Sequence, residues 1–263
     1  PELVITPVGP VFEHIGRLAF NDLEMEMQIL TQPGPRSVPG EDGVIDGREV
    51  EADFDEAVWA RLSGELGWTS LPFAEEVGGA GLSWIEVAVV MEEMGRALYR
   101  GPYLSSVCLA GSAIAVGGTE AQRAEHLPGI CDGSTRGALV APAAGQPLPS
   151  LAIAGDEVVL SGGARFVVDG ASATLLVVAA SRGDGDVSLV VVPPDAPGVQ
   201  RTRLATMDAT RRLADVALAD VRLPRSAVLG ELGGASGALS ATLDRAAIAL
   251  AAEQVGGADR CLE

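Results

Sequence analysis

The chain has 263 residues, a 48% hydrophobic composition and a formal charge of −18. That is apolar enough for a packed core and too acidic for the basic face that nucleic-acid binding requires. All eighteen basic residues are arginine, which excludes mechanisms that need a lysine, such as a Schiff base or a P-loop.

Three widely spaced cysteines and two histidines form neither a disulfide framework nor a zinc site. No apolar run reaches the length of a membrane span; the longest, "TLLVVAA" and "VSLVVV", have strand length and β-branched content. The beginning of the sequence lacks a basic region followed by an apolar core, so no signal peptide is expected. Together these features point to a cytoplasmic protein.

Residues 1–52 resist assignment. "VFEHIGRLAF" has helical character, and "TQPGPRSVPGEDGVIDG" reads as a loop rich in Gly, Pro and Asp. Residues 53–136 carry a helical pattern. Asp53 and Glu56, Ser83 and Glu86, and Thr119 and Gln122 each have the spacing of a capping box. The first box precedes a stripe of Phe54, Ala57, Val58, Leu62 and Leu66 that stops at Gly67. The second precedes Trp84, Val87, Ala88, Met91, Met94 and Leu98.

Over residues 137–232 the period changes. "LAIAGDEVVLSG" predicts two strands around a Gly-Asp turn, and "ATLLVVAAS", "DVSLVVVPP", "VQRTRLA" and "LADVALADVRLP" follow between Gly, Asp and Pro clusters. This spacing predicts an antiparallel β-barrel or sandwich. Over 233–263 the helical period returns, with a stripe of Leu243, Ala246, Ala247, Leu250, Ala251 and Val255. A helix with such a stripe needs a covering partner, and no later segment of the sequence supplies one.

Residue chemistry alone identifies no reaction. There is no GxSxG, no GxGxxG after a strand and no HExxH. His126 reads as a structural or surface histidine. Glu75–Glu76 and Glu92–Glu93 are adjacent pairs, which do not face each other on a helix.

The stretch "LGWTSLPFAEEVGGAGLSWIEVAVVMEEMGRAL" resembles the acyl-CoA dehydrogenase family. The resemblance continues in order through "GTEAQRAEHLPGICDGSTRGALV", "VVLSGGARFVVDGASATLLVVAA", "RTRLATMDATRRLADVALADVRLPRSAVLG" and "ALAAEQVGGADRCLE". It implies an α+β fold: an N-terminal helical domain (53–136), a middle β domain (137–232) and the first helix (233–263) of a C-terminal bundle that is otherwise absent. The missing helices are then either truncated or supplied by another chain.

The implied reaction is α,β-dehydrogenation of an acyl-CoA thioester with FAD as hydride acceptor and an electron-transfer flavoprotein downstream. Homo- or hetero-oligomers with other acyl-CoA dehydrogenase subunits are implied as well. No residue here matches the family's catalytic base. Flavin contacts map onto "ALVAPAAGQP" and "ARFVV": the backbone at Leu139 and Val140, Gly145 and Gln146, the aromatic Phe166, and Val168. Val140 and Val168 replace hydroxyl residues. Each lost hydrogen bond would have contributed about 0.5–1.5 kcal/mol. That loss raises the alternative of a non-catalytic partner subunit in a heteromeric enzyme. Arg211 and Arg212 are candidates for cofactor or CoA phosphates, or for a solvated strand end.

Overall fold

The structure is a computed structural model that describes residues 54–183, 185–208 and 210–262. The expectations for residues 1–53, the Asp53 cap among them, lie outside it. Ala52–Glu263 forms one compact unit, so the helical, β and closing helical segments share a single body.

Helix α1 (Glu56–Ala60) continues with π winding over Arg61–Glu65. Its cap is Asp55, whose carboxylate accepts from the amides of Ala57 and Val58 at 2.9 and 3.1 Å. Gly67, at φ +64, stops it. The buried face is Phe54, Trp59 and Leu62, whereas Ala57 of the expected stripe is exposed. The Trp59 indole donates to the Gly133 carbonyl at 2.8 Å.

Helix α2 (Trp84–Arg96) has the full Ser83–Glu86 capping box and buries Val87, Val90, Met91 and Met94. Helix α3 (Leu104–Gly111, π-wound, running on as Ser112–Gly117) is buried nearly all round, through Leu104, Val107, Cys108, Ala110, Ala113 and Ile114. Its sequence, "LSSVCLAGSAIAVG", has no polar face and therefore no stripe by which to recognise it. Helix α4 (Glu120–Cys131) has the Thr119–Gln122 box. The Gln122 amide also donates to the Ser226 and Val228 carbonyls at 3.0 and 2.7 Å, which ties α4 to the β layer.

Eight strands follow: β1 (Gly137–Val140), β2 (Ser150–Ala154), β3 (Glu157–Val168), β4 (Leu175–Ala180), β5 (Ser188–Val192), β6 (Val199–Arg203), β7 (Leu213–Pro224) and β8 (Val228–Leu229). They form two four-stranded sheets, ordered β1-β4-β5-β8 and β2-β3-β7-β6. Val140, Leu160, Val167, Leu176, Val178, Val190, Val216 and Leu218 belong to the core between them. The sandwich is the expected one, with one departure: β1 pairs parallel with β4. A parallel neighbour needs a long crossover, and the segment carrying β2 and β3 supplies it.

Helix α5 (Ser236–Leu262) does not lack a partner in the chain. It lies on α2, burying Thr242, Ala246, Ala249 and Gly256. The contact is backbone on backbone: a Cβ on Gly95 would sit 1.9 Å from the Glu253 carbonyl oxygen, and one on Gly256 1.7 Å from that of Glu92. Arg96 of α2 pairs with Asp259 across the same contact, and Glu253 of α5 pairs with Arg211 of the loop before residue 213. The phase of the expected stripe was displaced: Ala246 is buried and Leu250 half-buried, but Leu243, Ala247, Ala251 and Val255 face outward. Among the described residues no helix is long and apolar enough to cross a membrane.

Candidate functional site

Strand β1 lies at the edge of its sheet, paired with β4 alone. Val140 points into the sandwich core and is fully buried. Gly137 faces α3 so closely that an added Cβ would lie 2.5 Å from Ala110, and its amide is held by the Ser106 hydroxyl at 3.2 Å. Alternation along the strand puts Leu139 on this same face, where it is buried too. Neither side chain is presented to a ligand; what Leu139 and Val140 can offer is the backbone of an edge strand. The turn that follows is exposed. Gly145, at φ +82, has open space where a Cβ would be, and the Gln146 amide closes the turn on the Ala143 carbonyl at 3.0 Å.

Phe166 sits differently. The β3–β7 register breaks between Ala164 and Val167, and Phe166 occupies that bulge at φ +62 with its side chain 56% exposed. A bulky residue in the left-handed region stores roughly 1–3 kcal/mol of strain, a cost that concentrates where function demands a particular conformation. The Arg165 guanidinium lies 4.9 Å above the ring and pairs with Asp215 at 3.3 Å. Val168, two residues on, is half-buried and paired with Leu213. Val140 and Val167 both belong to the common core, so β1 and the end of β3 are part of one packed unit. Among the described residues no hydrogen bond or ring contact joins the Gly145–Gln146 turn to Phe166.

Beyond the bulge, Asp169 is again left-handed, at φ +54, and is buried. Its carboxylate accepts from the Arg212 Nε at 2.8 Å and from the Ser105 hydroxyl at 2.7 Å, while its amide donates to the Arg212 carbonyl at 2.8 Å. Arg212 also donates to the Arg100 carbonyl. Burial pushes the Asp169 carboxyl above its ordinary range, against the pull of the Arg212 charge and of the Ser105 and Arg212 hydrogen bonds. Arg201 donates to the Ala171 and Ala173 carbonyls at 2.9 and 2.8 Å and fixes the following loop.

Arg212 is therefore neither a solvated strand end nor a phosphate contact, and Arg211 is paired with Glu253. Sequence reading missed this cluster. Its partners lie 43 and 64 residues apart, and the only local signal was the Arg-Arg doublet.

Cavities lie elsewhere among the described residues. One of about 540 Å³ is lined by Phe73, Trp84, Val116, Arg123, Leu127 and Arg245. Another of about 670 Å³ runs between His126, the 171–175 loop and Arg201. Neither is lined by Leu139, Val140, Gly145, Gln146, Phe166 or Val168. Among the described residues no group of His, Cys, Asp and Glu is arranged to hold a metal.

Residues 43–134 match the family described as acyl-CoA dehydrogenase, N-terminal domain. The chain is 34% identical over 215 residues to the probable acyl-CoA dehydrogenase YngJ of Bacillus subtilis, covering 76% of this chain and 57% of that protein. Among solved structures, the Tcur3481–Tcur3483 steroid ACAD variant is 30% identical with a TM-score of 0.75, over 94% of this chain and 65% of that one. A glutaryl-coenzyme A dehydrogenase in complex with glutaryl-CoA superposes with a TM-score of 0.79 at 20% identity, over 98% of this chain and 66% of that one, which establishes likeness of fold. The chain spans little more than half the length of the YngJ relative.

Proposed function

Since the chain belongs to the acyl-CoA dehydrogenase family, we propose that it forms the N-terminal and middle part of a flavin-dependent acyl-CoA dehydrogenase. The reaction is α,β-dehydrogenation of an acyl-CoA thioester, with an electron-transfer flavoprotein as electron acceptor. FAD, when bound, supplies the hydride-accepting chemistry.

The observation that carries this reading is Phe166: an aromatic side chain 56% exposed, on a strained bulge, where a packed β core would have buried it. On this reading the residues form one wall of a flavin site. Phe166 offers a ring face, the β1 edge offers backbone groups at Leu139 and Val140, Gly145 and Gln146 form an open turn beyond it, and Val168 flanks the bulge. No residue of the described part matches the family's catalytic base. Glu253, the most tempting carboxylate on α5, is paired through Oε2 with Arg211, whose positive charge lowers the basicity a proton-abstracting carboxylate needs.

A second reading has its own support. Val140 and Val168 carry no hydroxyl, and Pro147 has no amide to donate. These residues suit a non-catalytic subunit that completes a heteromeric acyl-CoA dehydrogenase, and the similar Tcur3481–Tcur3483 enzyme bears a paired name.

Titration with FAD, followed by flavin absorbance and fluorescence, separates the two. The flavoenzyme reading expects saturable binding that Phe166→Ala weakens at least tenfold without moving the thermal midpoint, because an exposed side chain adds little to stability. Because this chain supplies one wall only, the titration is done on the assembly that completes the site; FAD binding there that Phe166→Ala leaves unchanged overturns the flavoenzyme reading in favour of the partner subunit. A large loss of stability in Phe166→Ala with flavin binding unchanged shows the ring to be structural.

A further inference from the structure

We propose that Asp169, Arg212 and Ser105 act together as positioning residues that hold the Phe166 bulge in its left-handed conformation. Their consequence for the flavin rests on the reading above; their effect on the bulge does not.

The argument begins with strain. Phe166 and Asp169 are two of four non-glycine residues at positive φ among the described residues, and they stand three positions apart. Such conformations persist only where the surroundings over-determine them. At Phe166 the surroundings are sparse: the ring is mostly exposed, among the described residues its ring contact is with Arg165, and Arg165 is itself exposed.

At Asp169 the surroundings are dense. The amide is bonded to the Arg212 carbonyl, and the carboxylate is bonded to the Arg212 guanidinium and the Ser105 hydroxyl. Between the two strained residues run Val167 and Val168, both in register with β7 through Ala214 and Leu213. A paired segment two residues long transmits the position of Asp169 directly to the bulge. Ser105 lies on the buried helix α3, and Arg212 also binds the Arg100 carbonyl just before it. The bulge is thus referenced to the helical layer as well as to its own sheet.

The test is hydrogen exchange of peptides covering residues 164–170 in Asp169→Asn, read by mass spectrometry. Asparagine keeps the size and tolerates left-handed φ, but it loses the charge and one acceptor for the two donors. The control is Thr69→Val, which removes the buried 2.6 Å bond from the Thr69 hydroxyl to the Cys131 carbonyl, far along the sequence from the bulge; the urea midpoint of each variant is measured alongside, so that exchange is compared at equal global stability.

The expected result is exchange at 164–170 accelerated at least tenfold in Asp169→Asn and unchanged in Thr69→Val. In the assembly that completes the flavin site, Asp169→Asn also weakens FAD binding at least tenfold while Thr69→Val does not. FAD binding there that Asp169→Asn leaves unchanged overturns the flavin consequence and leaves exchange to decide the clamp. Unchanged exchange at 164–170, or an equal rise in both variants, overturns the clamp. Should Asp169→Asn not fold, Ser105→Ala removes a single donor and is read the same way.

Discussion

Two neighbouring glycines on α5 give opposite expectations. Gly256 and Gly257 both sit inside the helix, where replacing glycine by alanine ordinarily adds about 0.5–1 kcal/mol of stability. At Gly257 the nearest atom to an added Cβ is the Gly95 carbonyl oxygen at 3.7 Å, an ordinary contact. Gly257→Ala is therefore expected to stabilise by about 0.5–1 kcal/mol, which raises Tm by about 1–4 °C for a unit of this size. At Gly256 the Cβ would lie 1.7 Å from the Glu92 carbonyl oxygen and 2.9 Å from the Arg96 amide, both backbone atoms of α2 that cannot swing aside. Forcing the helices apart costs about 1–3 kcal/mol or more, which exceeds the propensity gain. Gly256→Ala should lower Tm by several degrees, on the order of 2–10 °C. Differential scanning calorimetry of the two variants measures the contrast. If both substitutions stabilise alike, α5 is not docked on α2, and the account of its partner is wrong.

Three further outcomes are expected. Burial pulls the Glu86 carboxyl up, but the Ser83 hydroxyl and amide hold it below its ordinary value overall. The capping box therefore adds stability above the unfolded pKa and loses it as pH falls through the folded one; urea unfolding between pH 6 and 3 should show a steeper acid loss in wild type than in Glu86→Gln. Burial pushes the Cys131 thiol up to about 11, and Cys108 is fully buried, whereas Cys261 is exposed. A thiol reagent at pH 8 should titrate one cysteine in native protein and three in denaturant. Ile248 and Val255 are more than half exposed, so Ile248→Ser and Val255→Ser should each change the stability of the isolated chain by less than about 0.5 kcal/mol in urea unfolding.

The amphipathic elements were legible because pattern reading detects a boundary between apolar and polar. The Ser83 and Thr119 boxes and the β2–β3 turn all lie at such boundaries and appear where the sequence puts them. Helix α3 has almost no boundary, since it is covered nearly all round as far as Ile114, so periodicity could not delimit it. Helix α5 shows the opposite failure. Its outward residues Leu243 and Val255 are larger than the inward Ala249 and Gly256, so reading size as burial chose a displaced face. Small residues face inward there because two backbones approach closely, and the sequence of one helix does not reveal that its neighbour also presents a glycine.

The site divides along the same line. Phe166 stood out in the sequence as a single aromatic in a stretch resembling a family motif, and the structure leaves it more than half exposed. Val140 was not readable in the same way. A strand buried on both faces shows four apolar residues in a row, and nothing local says which face meets the core. The residues that fix Phe166 were more distant still, because strain at one position is sustained by contacts made at another. Asp169 is held by Arg212 across the β3–β7 ladder and by Ser105 across the layer boundary. Each of these residues has an ordinary neighbourhood in sequence; only their meeting, three residues beyond an exposed phenylalanine at φ +62, gives them a part in presenting it.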